Sequence, residues 1–215
     1  GLQRGGVDAT PKVGNPTITE PNSNSAGAIT TRFVYDQLDK RLFPTEGSFL
    51  QVNGYSSQGG LGADSTYHTL SVNASTIRSW GRNTFIFALR GSTDFNTVPP
   101  SYDQYRAGGL FFLSGYRNGQ LVGREFAFGA VSMRRRVADL SETFGTGIYA
   151  GASLEAGNVF QRLDGSTARG AQAAGSLYVG IDSKLGPVYL AYGQAQGGHS
   201  ALYLYIGSSI ESFRP

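Results

Sequence analysis

The sequence predicts an all-β fold, an antiparallel transmembrane β-barrel. Three observations carry that prediction: a composition rich in glycine and aromatics, segments of about ten residues with alternating side chains, and connections that alternate between short and long. Of 215 residues, 31 are glycine, 12 tyrosine and 13 phenylalanine, against one methionine and one tryptophan. Glycine costs about 1 kcal/mol relative to alanine inside a helix, whereas aromatic and β-branched residues suit a pleated surface. At 40% hydrophobic and 15% charged, the chain is too apolar for a disordered tail. The absence of cysteine excludes a disulfide framework, a thiolate metal site and a thiol nucleophile. No apolar stretch approaches the 18 residues of a membrane helix, which leaves a β route into a membrane open.

The elements follow in order. Residues 1–27 are low in complexity, rich in Gly, Pro, Asn, Thr and Ser without apolar periodicity, and read as a loop or arm; residues 28–215 read as barrel. Nine strands are expected at 29–39, 48–57, 66–79, 84–93, 121–135 (preceded by an ordered loop segment, 110–116), 143–160, 171–183, 187–196 and 200–210. Short turns at 43–47, 80–83, 137–142 and 183–187 alternate with longer or glycine-rich loops at 59–65, 94–120, 161–170 and 196–199. Outer-membrane barrels have this asymmetry, with tight periplasmic turns and freer external loops.

The strand faces sharpen the expectation. Along 145–157, one face carries Tyr149, Ser153, Glu155 and glycines, and the other Ile148, Ala150, Ala152, Leu154 and Ala156. Leu177, Val179 and Ile181, and likewise Leu202, Leu204 and Ile206, alternate with small or polar neighbours and are assigned to lipid; Tyr149 and Glu155 are assigned to the lumen. The polar face uses Gly, Ser, Asn and Gln in place of Lys and Glu, as an enclosed lumen requires and a soluble sandwich does not. Tyr, Phe and Trp80 gather near strand ends like an interfacial girdle.

Four blocks carry a family resemblance. VYDQLDKRLFPTEG (34–47) resembles the strand-turn segment of the bacterial surface antigen superfamily of outer-membrane assembly and translocation barrels. In it Asp36 and Asp39 can accept backbone hydrogen bonds around the turn, Pro44 fixes φ, and Gly47 supplies a permissive backbone. AGGLFFLSGYRNGQLV (107–122) resembles the external loop that folds into the lumen in that superfamily. GIYAGASLEAGNVF (147–160), and IDSKLGPVYLAYG (181–193) with LYLYIG (202–207), are most similar to the C-terminal barrel of patatin-like phospholipases secreted by the type Vd autotransporter route.

The resemblance implies a barrel of sixteen strands, of which these look like the last nine, in a bacterial outer membrane. It implies as partners the membrane lipids, the upstream strands, a patatin-like passenger and the barrel assembly machinery. It also implies a lumen-loop motif at Leu113, Ser114, Gly115 and Tyr116 and a lumen acid at Glu155. The wider superfamily has an arginine where Ser114 stands, so the usual bridge to the acid cannot form; a hydroxyl, a backbone amide, water or Arg117 must meet Glu155 instead. Nine strands leave two edges, so closure is expected to need about seven upstream strands. The first residues, Gly1 to Arg4, show neither a starting Met nor a signal-peptide pattern, and the chain looks like an interior or processed piece.

Catalysis is not expected of this chain. It contains no G-x-S-x-G elbow, and Asp164-Gly165 reads as a turn. His68 and His199 lack ligand spacing, so neither metal nor cofactor is expected, and the Asn73 sequon inside a strand reads as coincidence. The net charge of +3 is modest; the one dense cationic run, Arg134 to Arg136, reads as an interfacial or solvated cluster, and nucleic acid is not an expected partner. The leading reading is a non-catalytic translocator and anchor for a patatin-like lipid hydrolase. The rivals are an outer-membrane assembly-factor barrel, a passive porin-like pore and a soluble β protein.

Overall fold

The computed structural model describes residues 2–8, 23–141, 144–163, 165, 170–184 and 186–207. Ten strands follow one another in a single antiparallel sheet: β1 (Leu2–Asp8), β2 (Ser23–Asp36), β3 (Gly47–Ser57), β4 (Tyr67–Trp80), β5 (Asn83–Thr93), β7 (Leu121–Asp139), β8 (Gly145–Arg162), β9 (Gln172–Ser183), β10 (Gly186–Ala195) and β11 (His199–Ile206). The short β6 (Tyr105–Ala107) lies off this path against the start of β7. The sheet is an up-and-down meander, in which each interior strand pairs with the strands before and after it along the path. Among the described residues β1 and β11 pair with nothing on their outer edges.

Two expectations need correction. The arm assigned to 1–27 contains a strand: Leu2–Asp8 pairs with 23–29, which extends β2 upstream of the expected start at 29. The physical reason is that main-chain pairing needs no apolar side chains, so a segment of small and polar residues can complete a ladder without showing periodicity. The last strand ends at Ile206, and 208–210 of the expected range lie outside the described residues. The remaining strands start and stop within a few residues of the predicted ones.

The sheet is built inside out relative to a soluble protein. Its outward face exposes Leu154 (76%), Leu202 (74%) and Leu177 (67%), while Gln51, Ser75, Ser132, Ser153, Glu155 and Ser176 are buried on the inner face. Water would penalise the first set and reward the second, so this surface belongs in hydrocarbon. Val179, Leu204 and Ile206 are exposed beside them, whereas Tyr149, Tyr178, Tyr189 and Tyr203 are buried inward.

The inner core comes from segments that enter the concavity. Leu113, Tyr116 and Leu121 pack with Phe128 and Val159 of the wall, with Phe112 and Phe126 against them. A second cluster joins Leu110 and Phe111 to Phe43, which arrives from the β2–β3 turn, and to Tyr149, Tyr178, Tyr189 and Tyr203. Phe43 stacks on Tyr149 at 4.7 Å and Tyr189 at 5.2 Å, and Phe111 meets Tyr178 edge-on at 4.8 Å. Offset and edge-on geometries of this kind add about 0.5–1.5 kcal/mol per pair beyond area burial.

Candidate functional site

The site is the junction between the inserted loop, residues 108–120, and the inner wall of β8 and β11. The loop leaves β6 and returns to β7 as a chain of tight turns, with Phe112 N–H donating to Gly109 O (3.1 Å) and Tyr116 N–H to Leu113 O (3.2 Å). Phe111 and Leu113 both hold φ at 63°, in the left-handed region that non-glycine residues avoid. Strain of this type, of order 1–3 kcal/mol per residue, persists only where the surroundings impose it.

Those surroundings are specific. The Glu155 carboxylate accepts from Ser114 N–H (2.7 Å), Ser114 Oγ (2.6 Å) and Ser153 Oγ (2.6 Å), and Ser153 also bonds Ser176 at 2.7 Å. Ser114 Oγ in turn accepts from Phe111 N–H at 3.0 Å. On the other side Tyr203 OH accepts from Gly115 N–H and donates to Tyr116 O, both at 2.7 Å. Glu155 and Ser114 are both buried, so these charge-assisted bonds replace hydration that the carboxylate has lost. Arg117 does not reach the acid; it is exposed, and its N–H donates to Gln120.

Close approach of loop and wall depends on two glycines. A Cβ on Gly115, which has φ 110°, would lie 2.5 Å from Ala195 N, and one on Gly193 would lie 2.7 Å from Gly115 N. Leu113 is buried beside them, and Tyr116 OH donates to Gln172 Oε1 while its ring lies 4.4 Å from the His199 ring.

The turn motif sits at the opposite end of the sheet. Asp39 accepts from Thr45 N–H (2.8 Å), Glu46 N–H (3.1 Å) and Thr45 Oγ1 (2.5 Å), and Asp36 accepts from Leu38 N–H (3.1 Å). Burial of Asp39 opposes ionisation, but the bonds from Thr45 and Glu46 outweigh it and hold the carboxyl below its ordinary value. Gly47 has φ 120°, and a Cβ there would fall 2.2 Å from Gln37 O. Pro44 offers its carbonyl to the Arg134 guanidinium, which also lies 5.2 Å above the Phe43 ring.

Sequence reasoning missed three participants. Tyr203 and Ser153 share the lumen face with Glu155, and the alternation that assigns Leu202 and Leu204 to lipid was the signal for Tyr203. Arg134 was grouped with Arg135 and Arg136 as one surface cluster; alternation splits the run, burying Arg134 in the lumen and exposing Arg135 outward, while Arg136 pairs with Asp139 at 2.7 Å. His68 bonds Ser56 at 2.9 Å, and no cluster of metal-ligating side chains occurs among the described residues. Asp164 lies outside the described residues.

An inward loop anchored on a lumen acid, with an F-P-T-x-G turn below it, is the pattern that a family match must explain. Residues 7–197 match the Omp85 superfamily domain. The chain belongs to the Omp85 superfamily. None of the curated proteins compared with it matches. Among solved structures, the Omp85 fold is similar to the crystal structure of BamA from Haemophilus ducreyi lacking POTRA domains 1–3, with a TM-score of 0.66 at 15% identity over 86% of this chain. The chain spans 42% of that protein, so the likeness concerns the barrel fold over part of its length. Membership in the Omp85 superfamily makes the sheet part of an outer-membrane β-barrel.

Proposed function

We propose that this chain is the non-catalytic translocator and anchor of a larger outer-membrane protein, whose remaining strands close the barrel and whose attached domain is a patatin-like lipid hydrolase. The observation that carries the reading is Ser114: the loop reaches Glu155 through a serine hydroxyl and amide, in place of the arginine expected of an assembly factor. The same geometry argues against a passive pore. Leu110, Phe111, Leu113 and Tyr116 are buried against the inner wall, in space that a passive pore would leave to water. Its partners would be the membrane lipids, the upstream strands, the passenger and the barrel assembly machinery.

The likeness to a BamA barrel supports a second reading, an assembly factor for other barrels. One experiment separates the two. The full-length protein is expressed in a Gram-negative host whose own assembly factor can be depleted. Surface-exposed, protease-accessible phospholipid hydrolase activity, without rescue of the depleted strain, is the expected result. Rescue of outer-membrane protein assembly without a surface hydrolase would overturn the translocator reading.

A further inference from the structure

The outward face of the sheet carries a feature that the inward loop does not use. Near the turn end of β4, β5 and β7, the register sets Arg78 opposite Phe85 and Phe85 opposite Met133, and the next outward residue on β7 is Arg135. Arg78 and Arg135 are both exposed, and no carboxylate pairs with either among the described residues. Arg78 spends one donor on Ile77 O, at 2.9 Å, which leaves the rest of its guanidinium available. Trp80 is exposed on the same face and meets Phe85 edge-on at 5.4 Å, in the position of an interfacial anchor. Two rows further from the turns, the outward residues on these strands are uncharged.

An apolar groove begins where the arginines stop. It occupies about 830 Å³, is rimmed by Phe85, Met133, Leu154 and Leu177, and has Ala152 and Gly175 as its floor. That volume falls within the roughly 300–1,000 Å³ of small-molecule sites. From Arg135 to Val131, beside Leu154, the chain climbs four residues, about 13 Å at the usual rise per residue. Its far lining, Ala173 and Gln196, is level with Gly129, so the groove runs to about 20 Å along the strands from the arginine row, into a hydrocarbon core about 30 Å thick.

We propose that this face is a binding site for an anionic phospholipid, its phosphate held by Arg78 and Arg135 and one acyl chain lying in the groove over Ala152 and Gly175. The charge of the row selects the headgroup, because guanidinium forks bind phosphate oxygens in pairs. The small floor residues select a chain, since a leucine in their place would fill the depression. The site is independent of what the barrel exports.

The test uses the full-length protein reconstituted in mixed phosphatidylglycerol and phosphatidylethanolamine, released into mild detergent and examined by native mass spectrometry. The expected result is preferential retention of phosphatidylglycerol. Each arginine removed should cost about fivefold, so the pair Arg78→Gln and Arg135→Gln should abolish most of the preference. Ala152→Leu should lower retention of both lipids while leaving heat-modifiable gel migration unchanged. Arg41→Gln with Lys184→Gln, exposed cations at the same end, should leave the preference intact; an equal loss would reduce the effect to general surface charge and overturn the site. Displacement of the lipid by millimolar inorganic phosphate, or equal retention of the two lipids by the unaltered protein, would overturn it as well.

Discussion

The bond between Ser114 and Glu155 can be tested as a pair. The hydroxyl donates to the carboxylate at 2.6 Å in a buried setting, where a hydrogen bond to a charged group contributes about 1.5–3 kcal/mol. Ser114→Ala removes that bond but keeps the backbone N–H on Glu155, and it also loses the acceptor for Phe111 N–H. Glu155→Ala removes the acid, leaving Ser114 N–H and two hydroxyls without their acceptor; relief of carboxylate desolvation offsets part of that cost. Because the unrelated losses cancel in a double-mutant cycle, the coupling energy isolates the shared bond. We expect 1.5–3 kcal/mol of coupling, about 13-fold to 160-fold in the unfolding equilibrium, from urea titrations of the full-length barrel in lipid vesicles followed by tryptophan fluorescence. A coupling below about 0.5 kcal/mol would mean that the loop is held by its apolar contacts alone, and the argument from Ser114 would fail.

Three further outcomes follow from the geometry. Gly47→Ala places a Cβ against Gln37 O at an unfavourable φ and should cost about 1–3 kcal/mol, read as a lower urea midpoint; an unchanged midpoint would show that the turn is not fixed there. Asp39 has its folded-state carboxyl lowered, so its stabilisation is complete above the unfolded-state value near 4 and fades as pH falls through the lower folded value. Proteolytic nicking within 40–46 should therefore rise only in strong acid, and Asp39→Asn should produce it at neutral pH. Leu154→Arg places a cation in mid-sheet on the lipid face and should destabilise the barrel by about 2–4 kcal/mol in vesicles; no change would remove Leu154 from that face.

Much of this was legible because the pleat has a period of two. Once Leu154 is assigned outward, Glu155 and Ser153 must point inward, and register carries the same parity across β9, β10 and β11. What alternation cannot convey is depth. Nothing in the pattern distinguishes a lumen residue that meets water from one that meets a returning loop, and so Tyr203 was unremarkable until Gly115 and Tyr116 were seen on its hydroxyl. The strand at Leu2–Asp8 was hidden for a different reason: its ladder is made by backbone groups, which composition does not report.

Phe43 and Phe111 share the Tyr189 ring inside the sheet, which ties distant parts of the chain to one cluster. Phe43 comes from the β2–β3 turn, Phe111 from the loop before β7, and the rings that receive them, Tyr149, Tyr178 and Tyr189, sit on β8, β9 and β10. The Phe43 stacks cannot exist until strands from both halves of the chain have docked, and pairings so distant in sequence carry a large loop-closure cost. The left-handed backbone of Phe111 and Leu113 is likewise imposed by the wall that receives the loop. The inner plug is thus a product of the assembled wall, because the rings that hold Phe43 come from β8 and β10 together.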